Sequence, residues 1–243
     1  MFAARRCLAA LAVLLVASSA AEAGPVFDVA ADFSATSNPT GPWSYGYSPT
    51  LGGPFVLFTE PGPFFGLDTW GDPGYLYLAA YHNGTPDPIV FLLGIRYEPG
   101  QFGLHPGPAG EYAVARFTAP AAGVVSVAAA FVGIDPGGPL SPLGTTTDVH
   151  VLHNGTAVFG DEVVGFGTTR GYSDTVFLAA GDTLDFAVGI GTNGTDFNDS
   201  TGVAATITYV DPAAVPEPAS VGLLACGAVG LLGYARRRRA GRA

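Results

Sequence analysis

Glycine or proline interrupts this chain every few residues between Gly24 and Val210, and no window there sustains a 3.6-residue apolar period. Glycine leaves the backbone too free, and proline lacks the N–H, for a helix to propagate through such spacing. What survives between the breaks is short and alternating, the pattern of a half-buried strand. Leu184, Phe186, Val188 and Ile190, for example, share one face of Asp182–Ile190. Val149–Phe159 reads as a hairpin closed by Asn154-Gly155, a dipeptide suited to two consecutive positive φ angles. Ala180-Gly181 turns the chain between the next two strands.

Strands are expected at Val26–Phe33, Phe55–Glu60, Tyr75–Tyr81, Ile89–Tyr97 and Tyr112–Thr118, then at Gly123–Ile134, Asp148–His153 and Thr156–Glu162. Ser173–Ala179, Thr183–Ile190 and Val203–Val210 complete the set. Short strands at this spacing predict an all-β fold, a two-sheet antiparallel sandwich of the jelly-roll kind. Asn38–Tyr47 and Leu51–Asp72 read as long connections with short strands, and Phe102–Gly110 as a break between a looser N-terminal half, 24–109, and a more regular C-terminal half, 110–211.

The two ends do not share this pattern. Arg5-Arg6, an apolar run from Cys7 to Val16 and the small residues up to Ala23 form a secretory signal peptide. Ala21 and Ala23 sit where a signal peptidase reads, so cleavage is expected between Ala23 and Gly24. A signal anchor is the alternative, against which the run is short for a bilayer. At the other end Pro216, Glu217 and Pro218 precede an uncharged apolar stretch, 219–235, expected as a single transmembrane helix. Arg236, Arg237, Arg238 and Arg239 follow as a basic stop that stays cytoplasmic. A plain anchor and a buried core helix are the alternatives, and four arginines argue against the second.

The order and spacing of these three parts resemble the PEP-CTERM sorting signal. That resemblance implies an exosortase-like membrane transpeptidase as a partner beside signal peptidase. It also implies transient anchoring in the inner membrane through the C-terminal helix, then delivery to the cell surface or extracellular matrix. The chain thus divides into a signal peptide at 1–23, an exported body at 24–214 and a sorting tail at 215–243. Within the body, Tyr112–Val127, Val149–Thr156 and Leu178–Phe186 look like exported jelly-roll domains related to carbohydrate-binding modules. This second resemblance implies the sandwich first and a polysaccharide ligand only after it.

Charge narrows the partners. The chain has no lysine, and of its 10 basic residues only Arg96, Arg116 and Arg170 lie in the body, whereas of its 20 acidic residues only Glu22 and Glu217 lie outside it. No basic patch can be assembled from three arginines, which excludes nucleic acid as a partner. Cys7 and Cys226 both lie in the end segments, so the body has neither a disulfide nor a thiolate site and must be held by its core.

No catalytic residue is expected. The four histidines form no ligand motif, and His150 and His153 are an odd step apart on one strand. A glycan-active enzyme is the least favoured reading, and it rests on Asp161, Glu162, Asp182 and Asp185 meeting in space. Two features suit binding. Asp196, Asn198 and Asp199 are hard oxygen donors in one loop, and a structural Ca²⁺ ion is the sole cofactor they suggest; a plain polar turn is the alternative. Trp43, Tyr45 and Tyr47 would line one face of an extended segment and, with Trp70, give an aromatic platform for sugar rings, unless they pack the core. The expectation is an exported, non-enzymatic sandwich that binds polysaccharide or, as the alternative, a structural matrix protein without a small ligand.

Overall fold

The computed structural model describes residues 24–138 and 142–210. Ala23, Pro216, Glu217, Pro218, the expected helix 219–235 and Arg236–Arg239 lie outside the described residues. Gly24–Val210 forms one compact unit. In chain order its strands are β1 (Val26–Asp28), β2 (Trp43–Ser48), β3 (Val56–Leu57), β4 (Glu60–Phe64), β5 (Leu67–Asp72) and β6 (Tyr75–His82). Next come β7 (Ile89–Phe91), β8 (Ile95–Tyr97), β9 (Phe102–His105), β10 (Tyr112–Thr118) and β11 (Gly123–Gly133). The last are β12 (Thr146–His153), β13 (Thr156–Val164), β14 (Thr169–Leu178), β15 (Thr183–Gly189) and β16 (Thr201–Tyr209). A single 3₁₀ turn, Leu92–Gly94, joins β7 to β8.

Two antiparallel sheets face each other. One runs β14-β11-β16-β9-β6-β5-β4, with β1 also paired to β16, and the other runs β13-β12-β15-β10-β2-β3. The alternation expected from the sequence fills the space between them. Leu184, Phe186 and Val188 of β15, Val125, Val127 and Phe131 of β11 and Val203, Ala205 and Ile207 of β16 all enter the main core. Fully burying each of the large side chains contributes roughly 1.5–3 kcal/mol, which stands in place of disulfides. Asn154 and Gly155, with φ of 50° and 77°, close a two-residue hairpin in which His153 pairs with Thr156. Ala180-Gly181 does turn the chain, but between sheets, because β14 belongs to the first and β15 to the second.

The sheets do not follow the division into halves. β9, expected as part of a linker, lies inside the first sheet between β16 and β6, and β2 lies inside the second between β10 and β3. Each sheet therefore mixes strands from before and after Phe102–Gly110. β9 has only four residues, and Gly103 contributes no apolar side chain, so its strand character comes from its neighbours rather than from its composition.

One feature of the fold positions the site. β6 carries apolar residues on both faces: Leu78 and Ala80 enter the main core, whereas Ala79 and Tyr81 belong to a second cluster on the opposite face. The β7–β8 ribbon closes over that second face through Ile89, Phe91, Ile95 and Tyr97.

Candidate functional site

Where the ribbon leaves the outer face of β6 uncovered, a cavity of about 200 Å³ remains. Tyr77 and Tyr81 point into it because they alternate with Leu78 and Ala80, and Tyr75 and Phe64 extend the same wall. The rings form a connected set. Phe64 meets Tyr77 edge-on at 5.6 Å between centroids and Phe91 at 6.0 Å, and Tyr75 meets Tyr77 at 5.8 Å. Phe197, half exposed, stands over the cavity from the loop between β15 and β16.

The cavity lining is also polar in part. Asp135, Asp196, Asn198, Ser200 and His105 belong to it. The loop that supplies Asp196 to Ser200 is pinned from several sides. The Tyr75 hydroxyl donates to Asp196 Oδ2, and Asn198, in the left-handed region at φ 66°, donates its amide to Asp135 Oδ1 at 2.8 Å. The backbone N–H and hydroxyl of Thr146 donate to Asp199 Oδ1 at 2.9 and 3.0 Å. Asp135 Oδ1 also accepts from the Gly137 N–H at 3.0 Å. Among the described residues, the second oxygens of Asp135 and Asp199 are buried with no hydrogen-bond partner.

Burial, reinforced by the nearby charges of Asp196 and Asp135 against the Thr146 hydrogen bonds, pushes the Asp199 carboxyl up to about 7. Burial and then the bond to Asp196 raise the Tyr75 phenol well above its ordinary value, so it stays a donor. Burial lowers His105, and its Nδ1 lies 2.9 Å from the Pro106 carbonyl. A carbonyl only accepts, so the proton of this neutral imidazole is on Nδ1.

The expected aromatic platform is not at the surface. Trp43 and Tyr45 are wholly buried between the sheets, Trp70 nearly so, and Tyr47 packs against the same core. Their polar atoms are spent inside: Trp43 Nε1 donates to Asp32, Trp70 Nε1 to the Ser34 carbonyl at 2.7 Å, and the Tyr45 hydroxyl to the Val29 carbonyl. Core packing won because the other face of β2 carries only Ser44, Gly46 and Ser48. The cavity instead uses Tyr75, Tyr77 and Tyr81, whose common parity in one strand was the available signal.

The loop donors are also redistributed. Asp196, Asn198 and Asp199 turn to Tyr75, Asp135 and Thr146 respectively. Among the described residues no group of three or more histidine, cysteine or acidic side chains has the arrangement to hold a metal ion. Asp161, Asp182 and Asp185 likewise serve separate partners, Arg170, His153 and Arg116.

Outside the described residues, 214–239 matches the family model for the PEP-CTERM protein-sorting motif. The chain carries a PEP-CTERM sorting signal. That signal implies recognition by an exosortase, export and sorting to the surface. No curated protein matches the sequence. Among solved structures, a family 35 carbohydrate-binding module from Clostridium thermocellum is similar at 14% identity and TM-score 0.31, over 51% of this chain and 89% of its own. A family 51 carbohydrate-binding module from Clostridium perfringens, solved with methyl-galactose, is similar at 14% identity and TM-score 0.35, over 63% and 94%. A family 35 module from Paenibacillus barcinonensis is similar at 16% identity and TM-score 0.28, over 54% and 98%.

Proposed function

We propose that the body of this PEP-CTERM protein is a surface-displayed binding module whose cavity takes one sugar unit of an extracellular polysaccharide. The observation that carries the reading is the presence of several aromatic rings and several hydrogen-bonding side chains in the lining of one cavity. Aromatic faces suit the C–H face of a sugar, and carboxylate, amide and hydroxyl groups suit its hydroxyls. The volume admits about one hexose ring, in line with a module that reads a single unit of a chain. Binding without chemistry is the fitting role. Asp199, the acid with the raised pKa, is wholly buried within the loop, is committed to Thr146 and is not part of the cavity lining.

The test is a glycan array probed with the chain purified in detergent, alongside Tyr77→Ala. Sugar binding by the parent chain that the variant loses supports the module. Silence of the whole array would favour the structural matrix role, and breakdown of any arrayed glycan would favour an enzyme. Export and sorting are read separately by mass spectrometry of surface-extracted protein. Processing predicts loss of the C-terminal peptide containing Arg236–Arg239, and Glu217→Ala should retain it if the Pro216-Glu217-Pro218 triplet is read chemically.

A further inference from the structure

The cavity is lined by two carboxyl groups that no basic side chain among the described residues pairs with. Asp135 and Asp196 both line it and are 0% and 5% exposed. One carboxylate oxygen of Asp135 has no partner among the described residues. A buried carboxylate oxygen without a donor is costly, and sites that tolerate one await a ligand or a proton. The usual remedy is a basic side chain, and among the described residues none is at hand. The chain has no lysine. Arg96 pairs with Glu98, Arg116 with Asp185 and Arg170 with Asp161. His105, the histidine of the lining, is pushed toward its neutral form by burial.

The aromatic part of the lining narrows what can answer these carboxyl groups. Tyr75, Tyr77, Tyr81, Phe64 and Phe91 present rings, which attract an organic cation through their faces and pack against its carbons. A bare divalent ion gains little there, since it needs six or more oxygen ligands, and the acidic groups do not converge in the required way. An ammonium carried on a sugar ring satisfies both parts of the lining at once. It offers three donors to the carboxylates and an apolar ring face to the tyrosines.

We propose that the cavity selects a cationic sugar, a hexosamine unit with a free protonated amine, as found in a de-N-acetylated polysaccharide. This rests on the sugar-binding reading above and sharpens it. Acetylating the amine removes the charge and adds bulk beside the carboxyl groups, so the N-acetylated sugar is the natural discriminator.

The experiment measures binding of the detergent-purified full chain, by calorimetry at pH 6, to three soluble probes: a glucosamine oligomer, its fully N-acetylated counterpart and a glucose oligomer. The expected result is a preference of about tenfold or more for the glucosamine oligomer, the range of a charge-assisted hydrogen bond. Asp135→Asn keeps the oxygen that accepts from Asn198 and Gly137, and should reduce that preference to about parity. The parent chain's preference is itself decisive should the variant fail to fold. Equal or better binding of either neutral oligomer overturns the cationic ligand and leaves the sugar module standing. Binding of none of the three overturns the cationic ligand, and the glycan array then decides the sugar module. A separate arm adds calcium against sodium at matched ionic strength. A melting shift specific to calcium, abolished in Asp135→Asn, makes this a metal site and overturns the proposal as well.

Discussion

Two strands of this protein carry nearly the same aromatic signal and use it in opposite ways. β2 reads Trp43-Ser-Tyr-Gly-Tyr47 and β6 reads Tyr75-Leu-Tyr-Leu-Ala-Ala-Tyr81. The rings of β2 are buried between the sheets or packed against that core, whereas Tyr75, Tyr77 and Tyr81 of β6 line the cavity, Tyr75 while also packing against the core. The deciding factor is the residue between the rings. In β2 it is Ser44 or Gly46, so the rings alone can fill the interior. A side chain at Gly46 would also meet the Val56 carbonyl oxygen at 2.2 Å. In β6 Leu78 and Ala80 fill the interior, which frees Tyr77 and Tyr81 for the other face. An aromatic run is therefore read by what alternates with it.

The sharpest way to break this contrast is to delete one ring from each strand. Trp43→Ala should cost about 3–5 kcal/mol, as large-to-small changes in a packed core do, and lower the melting temperature by many degrees. Tyr77→Ala should cost less than half as much, because its ring borders an open cavity, yet remove sugar binding. Thermal melts and array binding on both variants decide it. A Tyr77→Ala protein as unstable as Trp43→Ala would mean that β6 is core too.

How much of this was legible follows from the distances along the chain. β15 and the Asn154-Gly155 hairpin could be read because alternation and turn chemistry are local. The antiparallel sandwich followed from many such local signals together. The cavity could not be read this way. Tyr75 and Asp196 are 121 residues apart and Asn198 and Asp135 are 63 apart, and only the sheet order brings them together. The loop Asp196–Asp199 did stand out by composition, but its donors were expected to face one ion. Folding set them against Tyr75, Asp135 and Thr146, which no local pattern encodes.

A second measurement separates the acidic groups from the rest by pH. Asp199 is raised from the usual carboxylate range up to about 7, chiefly by burial and then by Asp196 and Asp135, with the Thr146 N–H and hydroxyl opposing. Its proton is held more tightly in the folded state than in the unfolded one. The stability it brings is full below about pH 4 and is lost as pH rises through about 7. Asp199→Asn should therefore be more stable than the parent at pH 8, by about 1–3 kcal/mol, and level with it or below at pH 4. His82 and His105, both lowered by burial, act in both proteins, so the difference between the two profiles isolates Asp199. Parallel melting curves from pH 4 to 8 would show that this carboxyl titrates as an ordinary one.

The smallest effect tests the hydroxyls rather than the rings, and it should reverse the order found with alanine. Tyr45 is wholly buried, but its hydroxyl reaches the Val29 carbonyl only at 3.3 Å, a long bond between neutral groups. Tyr45→Phe keeps the ring in the core and should cost no more than about 1 kcal/mol. Tyr75 is only half buried, yet its hydroxyl donates to the Asp196 carboxylate, and such bonds to charged groups are the stronger kind. Tyr75→Phe strips Asp196 of that donor in the cavity lining, and should cost about 1–2 kcal/mol. Added glucosamine oligomer should recover part of the loss, since its ammonium can replace the missing donor. If Tyr45→Phe proves the more damaging, the polar atoms of β2 matter as much as its rings. The division between a strand that packs and a strand that binds would then have to be redrawn at the level of single oxygens.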